Sequence, residues 1–89
     1  MRRRTASAEA WCDAFDRRDV DTLCRLTRGP ADAGRRLYAA WFALEPDTTI
    51  ERLAPRGTYR IERPSHSLSV RFVRRPWRWM ADVQIQIVR

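Results

Sequence analysis

The side chains of this 89-residue chain that are best suited to bind a partner are arginines, because all 18 basic residues are Arg and the formal net charge is +7. A guanidinium group makes paired hydrogen bonds to phosphate or carboxylate, and an exposed indole stacks on a base or a side chain. Both groups meet around the turn of a predicted C-terminal hairpin, where Trp77 is flanked by Arg71, Arg74, Arg75 and Arg78. The sequence therefore predicts a partner-binding surface at this turn.

A second basic cluster, Arg2, Arg3 and Arg4, lies in residues 1–6, which we predict to be a basic tail before a single domain over residues 7–89. Residues 46–89 hold nine arginines and four acids, whereas residues 9–45 hold six arginines and seven acids. Segregated positive charge attracts nucleic acid, a nucleoprotein complex or an acidic protein. The alternative is a hairpin tip charged only to prevent edge pairing, with Trp77 folded back onto the core beside Trp79.

The residues that resemble catalytic groups have simpler interpretations. His66 lies between Ser65 and Ser67 in a stretch typical of a solvated turn, and neighbours on a strand point to opposite faces, so no nucleophile–base pair is expected. Asp13 and Asp16 share a helix face at a spacing typical of a solvated surface neutralised by the following arginines, Arg17 and Arg18. We therefore predict no catalytic residue.

Composition excludes several other classes of site. Three glycines leave no phosphate-cradling loop, and one His with two Cys cannot form a four-ligand zinc site, so neither metal nor cofactor is expected. No apolar segment follows the basic start, which predicts a cytoplasmic protein that does not bind membranes. Cys12 and Cys24 lie beside apolar residues and are interpreted as buried thiols rather than a disulfide.

Apolar spacing of three and four predicts helices in the first half of the chain: one over residues 7–18, a short one from Asp19 to Gly29-Pro30, and a third from Asp32 to about Leu44. The predicted buried stripe of the third helix is Ala33, Leu37, Ala40, Trp41 and Leu44. Because Tyr38 and Phe42 widen this stripe, a homodimer through Tyr38, Trp41 and Phe42 is a further expectation.

Alternating apolar residues then predict strands over residues 58–62, 67–72 and 78–88, with a weaker strand around 49–53. The predicted fold is α+β, with three N-terminal helices packed on one face of a three- to four-stranded antiparallel sheet. The last strand should pair with residues 67–73, with Leu68, Val70, Phe72, Trp79, Ala81, Val83, Ile85 and Ile87 facing the core.

Residues 10–26 and 70–83 resemble the opening helices and the closing hairpin of the nuclear-transport-factor-two-like (SnoaL-like) superfamily, the second through the strand Trp79-Met-Ala-Asp-Val83. The resemblance implies helices on a curved sheet and, in related enzymes, an acid deep in a cone-shaped pocket. This chain is shorter, and Pro30 leads into a helix where the family usually has a strand. The resemblance therefore implies a fold but no activity.

Three functional interpretations stay open. The favoured one is a non-enzymatic adaptor, inhibitor or subunit that acts through the Arg and Trp surface; an inhibitor of a host nucleic-acid machine, carried by a phage or mobile element, fits this description. The second is a winged-helix DNA-binding regulator with Arg35 and Arg36 on its third helix and residues 64–66 as the wing. The third is a small-ligand binder or enzyme of the resembled superfamily.

Overall fold

The computed structural model describes residues 3–50, 53 and 56–88, and its fold is α+β, with helices before strands as predicted. The elements are α1 (Arg4–Asp16), α2 (Val20–Leu26), α3 (Ala31–Leu44), β1 (Tyr59–Glu62), β2 (His66–Arg74) and β3 (Trp79–Ile87). Within these ranges no helix is both long and apolar enough to cross a membrane.

The first helix begins at Arg4, three residues earlier than predicted, and Ser7 is a buried residue inside it. The amide of Ser7 donates to the carbonyl of Arg3 at 2.9 Å, which places the first helical turn over the predicted basic tail. Residues 4–6 therefore belong to α1.

The start of α2 is as expected, since the Asp19 carboxylate accepts the Thr22 amide at 3.2 Å and caps the helix.

The buried face of α3 is rotated by about one residue from the predicted stripe. Ala33 and Ala40 are exposed and Leu44 is 41% exposed, whereas Tyr38 and Trp41 are fully buried. The close approach of α2 explains the rotation, because a Cβ at Gly34 would lie 3.2 Å from the sulfur of Cys24. A glycine at this contact lets α3 turn its Gly34 side toward α2.

The expected homodimer surface is also corrected. Tyr38 and Trp41 have no exposed area, so their side chains form part of the monomer core and do not present a surface to a second copy. The Trp11 indole donates to the Tyr38 hydroxyl at 2.9 Å, and Phe42 packs against Phe15 with ring centroids 5.1 Å apart. Tyr38 and Phe42, which widen the apolar side of α3, therefore pack within the chain.

The sheet has the order β1-β2-β3 in the described residues, and both pairs are antiparallel. The predicted pairing of the last strand with residues 67–73 is confirmed, as is the core-facing side: Leu68, Val70, Phe72, Ala81 and Val83 are buried. Ile87 departs from this pattern, since it is 47% exposed at the end of β3. The predicted weak strand over 49–53 lies partly outside the described residues, although Ile50 and Leu53 are buried.

Helices cover one face of the sheet, and the other face carries mostly polar side chains, with Val73 and Met80 next to the turn between β2 and β3. On the covered side Trp11 stacks on Phe15 at 5.0 Å and meets Phe72 edge-on at 6.4 Å. Strand alternation places Arg60, Ser69, Arg71, Asp82 and Gln84 on the opposite side. We call this second surface the open sheet face.

Candidate functional site

The turn between β2 and β3 presents its aromatic residue to solvent. The last strand pair joins Arg74 to Trp79, and the Arg75 amide donates to the carbonyl of Arg78 at 2.8 Å, which leaves residues 76–77 at the tip. Trp77 is 79% exposed, whereas Trp79 is half-buried. Trp77 therefore does not fold back beside Trp79 as in the alternative interpretation of this turn.

Three arginines surround Trp77, and together the four residues Arg74, Arg75, Trp77 and Arg78 form what we call the Arg/Trp tip. All three guanidinium side chains are exposed, and none forms an ion pair with an acid in the described part of the chain. The Arg75 guanidinium donates to the neighbouring carbonyl of Arg74 at 3.0 Å. The tip therefore offers cationic donors that no carboxylate of the described residues neutralises.

The start of α1, with Arg3 and Arg4, lies at the same end of the molecule. The guanidinium carbon of Arg4 lies 3.9 Å from the ring centroid of Trp79, a cation–π contact. Arg4 is thus half-buried at the start of α1, whereas Arg3 is exposed and Arg2 lies outside the described residues. Arg4, which is far from the hairpin in sequence, is therefore adjacent to it in the fold.

Sequence reasoning missed two further arginines beside this surface. One depression is lined by Arg4, Arg56 and Arg71. It lies at the edge of β2, next to the residues that precede β1. Arg60 is exposed on the open sheet face. Strand alternation in residues 59–62 was a signal that could have placed Arg60, but Arg56 comes near Arg4 only through tertiary packing.

The open sheet face contains a shallow depression that spans all three strands. Its volume is about 170 Å³, and it is lined by Thr58, Arg60, Ser69, Arg71, Asp82 and Gln84. Sites for drug-sized molecules have volumes of roughly 300–1,000 Å³. The depression is therefore suited to a small polar group, such as one phosphate of a larger ligand.

One carboxylate on this face lies between two arginines. The Oδ2 atom of Asp82 is 3.2 Å from Nε of Arg71 and 3.7 Å from Nη1 of Arg28. The backbone brings Arg28 there, because its amide donates to the carbonyl of Ala81 at 2.8 Å. With two guanidinium groups for one acid, the cluster stays positive, and Arg71 remains 60% exposed.

The opposite end of the sheet corrects the interpretation of His66 as a residue of a solvated turn. His66 begins β2 with a side chain only 13% exposed, and its Nε2 lies 2.9 Å from Oε1 of Glu45. The hydroxyl of Ser65 is 3.0 Å from Nδ1 of His66, contrary to the expectation that the two side chains would point apart. They meet because Ser65 lies in the bend before the strand.

Although Ser65, His66 and Glu45 form a chain of contacts, their surroundings indicate a structural role. The Arg63 Nε also contacts Oε1 of Glu45, at 2.8 Å, and Thr48 donates to Oε2 at 2.8 Å. Hydrogen bonds from His66 and Thr48 hold the pKa of Glu45 below its usual range. A carboxylate shared in this way fastens the end of α3 to β2, and we call Glu45, Arg63 and His66 the anchored end.

The acids of α1 are also structural. Asp13 forms an exposed ion pair with Arg17 at 2.9 Å, as expected for a solvated face, whereas Asp16 accepts the backbone amide of Ile50 at 2.7 Å. The Arg18 guanidinium donates to backbone carbonyls, namely those of Phe15, Asp16, Pro46 and Thr48. It links the end of α1 to the segment after α3.

The arginines of α3 are placed differently from those of the tip. Arg35 lies 2.6 Å from Asp21 of α2, and Arg36 is exposed beside it. The predicted wing, residues 64–66, turns His66 inward toward Glu45. The two elements of the winged-helix interpretation are therefore engaged in contacts within the fold.

Both cysteines are free thiols. Burial raises the pKa of Cys12 to about 11, and burial also raises the pKa of Cys24. A protonated, buried thiol is a poor nucleophile and a poor metal ligand. Within the described residues, no group of three His, Cys, Asp or Glu side chains is placed to hold a metal ion.

The surface that the geometry singles out is thus a basic end of the molecule, formed by the Arg/Trp tip, the start of α1 and the adjoining open sheet face. Comparison of the chain with protein-family models, with curated proteins and with solved structures gives no match.

Proposed function

We propose that the protein is a small, non-enzymatic binding protein that contacts an acidic macromolecule through the Arg/Trp tip. The observation that carries the proposal is Trp77, which is 79% exposed among three arginines that form no ion pair with an acid in the described residues. Nucleic acid, a nucleoprotein complex and an acidic protein surface are the partner classes that this chemistry fits. An adaptor or an inhibitor of a nucleic-acid machine would use such a surface.

The position of Trp77 supports the proposal because the other tryptophans are used in packing. Trp11 and Trp41 are fully buried, and Trp79 is half-buried beneath Arg4. Leaving a fourth indole in water forgoes the burial of a large apolar side chain. Tryptophan and arginine are the residues most enriched at sites that dominate binding energy.

The surroundings of the tip add long-range attraction. Arg3 and Arg4 lie at the N-terminus of α1, where the helix dipole contributes further positive potential. Arg56 and the β2 residue Arg71 line a depression together with Arg4 of this helix start. Clustered charge of one sign steers an acidic partner toward the surface and raises the association rate.

A pair of double substitutions tests the proposal with matched charge. Arg74→Ala/Arg75→Ala removes two adjacent cations from the tip, and Arg35→Ala/Arg36→Ala removes two adjacent cations from α3. Fluorescence anisotropy would measure the binding of each variant to a labelled single-stranded oligonucleotide, the corresponding duplex and polyglutamate. We expect at least one probe to lose affinity about tenfold or more with the tip variant, and much less with the α3 variant.

Equal affinities of the two double variants for every probe, with folding verified by circular dichroism, would overturn the proposal. Such a result would mean that only net charge matters, because the two variants have the same net charge. If the proposal holds, a pulldown from the native host, with and without nuclease, should recover a partner that the parent and the α3 variant retain and the tip variant loses.

A further inference from the structure

The open sheet face continues the Arg/Trp tip along the same two strands. On β2, the outward-facing positions after Arg75 are Val73, Arg71 and Ser69, because alternate residues of a strand share a face. At about 3.3 Å per residue, Arg75 and Ser69 are roughly 20 Å apart along the strand. Arg60 lies next to Ser69 in the strand register, so the basic surface extends from the tip to β1.

Building on the proposed function, we propose that the acidic partner is a single-stranded nucleic acid that runs from the Arg/Trp tip across the open sheet face. In this arrangement Trp77 stacks on a base at the tip. Arg71 and Arg60 contact the phosphates, and the depression between them accommodates a phosphate group.

The composition of the face favours nucleic acid over a protein partner. The buried centre of a protein–protein interface is mostly apolar and poor in charged residues. The depression has the opposite character, since it is lined by Thr, Ser and Gln with two arginines and one acid. Hydroxyl, amide and guanidinium groups are the side chains that contact phosphate and sugar oxygens.

The acid that lines the depression, Asp82, supports this assignment because of the two arginines it contacts. Asp82 is only 12% exposed, and its Oδ2 accepts from Nε of Arg71. The Arg71 donor in this hydrogen bond is Nε–H, and the two terminal nitrogens of the guanidinium carry four further N–H donors. Asp82 is thus a positioning residue that orients Arg71, while Arg28 offsets its charge.

The exposed indole favours a single strand over a duplex. Aromatic side chains stack on bases that are already unstacked, and proteins that bind single strands combine such a residue with a positively charged groove. Trp77 and the arginine track of the open sheet face supply the two parts of that combination. In a duplex the bases are stacked on each other, so Trp77 could insert only if adjacent base pairs were unstacked, which costs free energy.

The experiment compares Arg60→Ala with Arg36→Ala, a matched removal of one exposed cation from α3. Binding of a labelled mixed-sequence oligonucleotide of about 12 nucleotides, within the usual range of site sizes, is measured by anisotropy at several salt concentrations. The same strand annealed to its complement and a polyglutamate chain are the other two probes. We expect the parent to bind the single strand at least tenfold more tightly than either.

For the single strand, loss of one phosphate contact should reduce the slope of log affinity against log salt by about 0.7 in Arg60→Ala, with no change in Arg36→Ala. Equal or tighter binding of the duplex or of polyglutamate would overturn this inference, as would identical slopes for the two variants. If the Arg74→Ala/Arg75→Ala variant still lost binding to the preferred probe, the proposed function would survive that failure. Tip-independent binding to all three probes would overturn both.

Discussion

The turn between β1 and β2 and the turn between β2 and β3 lie at opposite ends of the sheet, and both carry cationic side chains beside an aromatic ring. At the anchored end, Arg63 and His66 contact the same oxygen of Glu45, and His66 meets Trp41 edge-on at 5.5 Å. At the Arg/Trp tip, no carboxylate of the described residues pairs with the arginines. The basic side chains thus contact an acid of the fold at one end and remain available to a partner at the other.

The difference comes from the helix ends that pack beside each turn. The C-terminus of α3 supplies Glu45 to the first turn, so an acid is present where cations collect. The N-terminus of α1 lies beside the second turn and supplies Arg4, which adds positive charge. A basic turn is therefore interpretable only when the helix end facing it is known.

The largest expected effect is charge reversal at the tip. In Arg74→Glu/Arg75→Glu two cations become two anions, so an acidic probe is repelled and its affinity should fall by more than about 100-fold at low salt. The corresponding Arg35→Glu/Arg36→Glu variant is the control, measured by the same anisotropy titration. A comparable loss in the control would remove the distinction between the tip and the rest of the surface.

Removal of the exposed indole should have the next largest effect. Trp77→Ala is expected to weaken binding about tenfold, since a stacked base contributes about 1–3 kcal/mol. The free energy of unfolding should change by less than about 0.5 kcal/mol because the side chain is exposed. Urea titration and anisotropy measure the two quantities, and Trp77→Phe should retain part of the binding. A large loss of stability would show that Trp77 packs against the fold.

At the anchored end, a substitution should affect stability rather than binding. His66→Ala removes the contact between β2 and Glu45 and the edge contact with Trp41, so the melting temperature should fall by several degrees. Binding of the oligonucleotide, measured well below that temperature, should match the parent. Weaker binding by a folded His66→Ala protein would assign the first turn to the partner surface.

The sequence could predict features that depend on local patterns, but not those that depend on contacts between distant residues. Residue periodicity was sufficient for the helix-then-sheet order and for the pairing of β3 with β2, since both depend on local patterns. The role of His66 was missed because its partner, Glu45, is 21 residues away in the chain and meets it only in the folded state. The face of α3 was misplaced because Gly34 permits a close helix contact that apolar spacing does not encode.

In the candidate site, too, local sequence patterns could predict some features and not others. Arg74, Arg75 and Trp77 were recognised because a turn between two alternating strands exposes its residues. The meeting of Arg4 with Trp79 depends on how α1 packs on the sheet. No local pattern in residues 1–6 contains that information.

The smallest expected effect is a pH dependence of stability at the anchored end. Because the pKa of Glu45 is lower in the folded protein than its usual value of 4.5, the carboxylate stabilises the fold above pH 4.5. That contribution is lost as the pH falls below 4.5 and through the lowered pKa. Melting temperatures of the parent and of Glu45→Gln should therefore differ at pH 7 and converge in acid. A difference in melting temperature that does not change with pH would show that the charge of Glu45 does not contribute to stability.

Chemical-shift mapping tests the central claim most directly, because the tryptophan indoles report on both ends of the sheet in one experiment. A ¹⁵N-labelled sample is titrated with the single-stranded oligonucleotide of about 12 nucleotides. We predict saturable shifts of the Trp77 indole and of the amides around the tip and Arg71, with the Trp41 indole and the His66 amide unmoved. Shifts centred on Trp41 and His66, with Trp77 unchanged, would contradict the assignment of binding to the Arg/Trp tip.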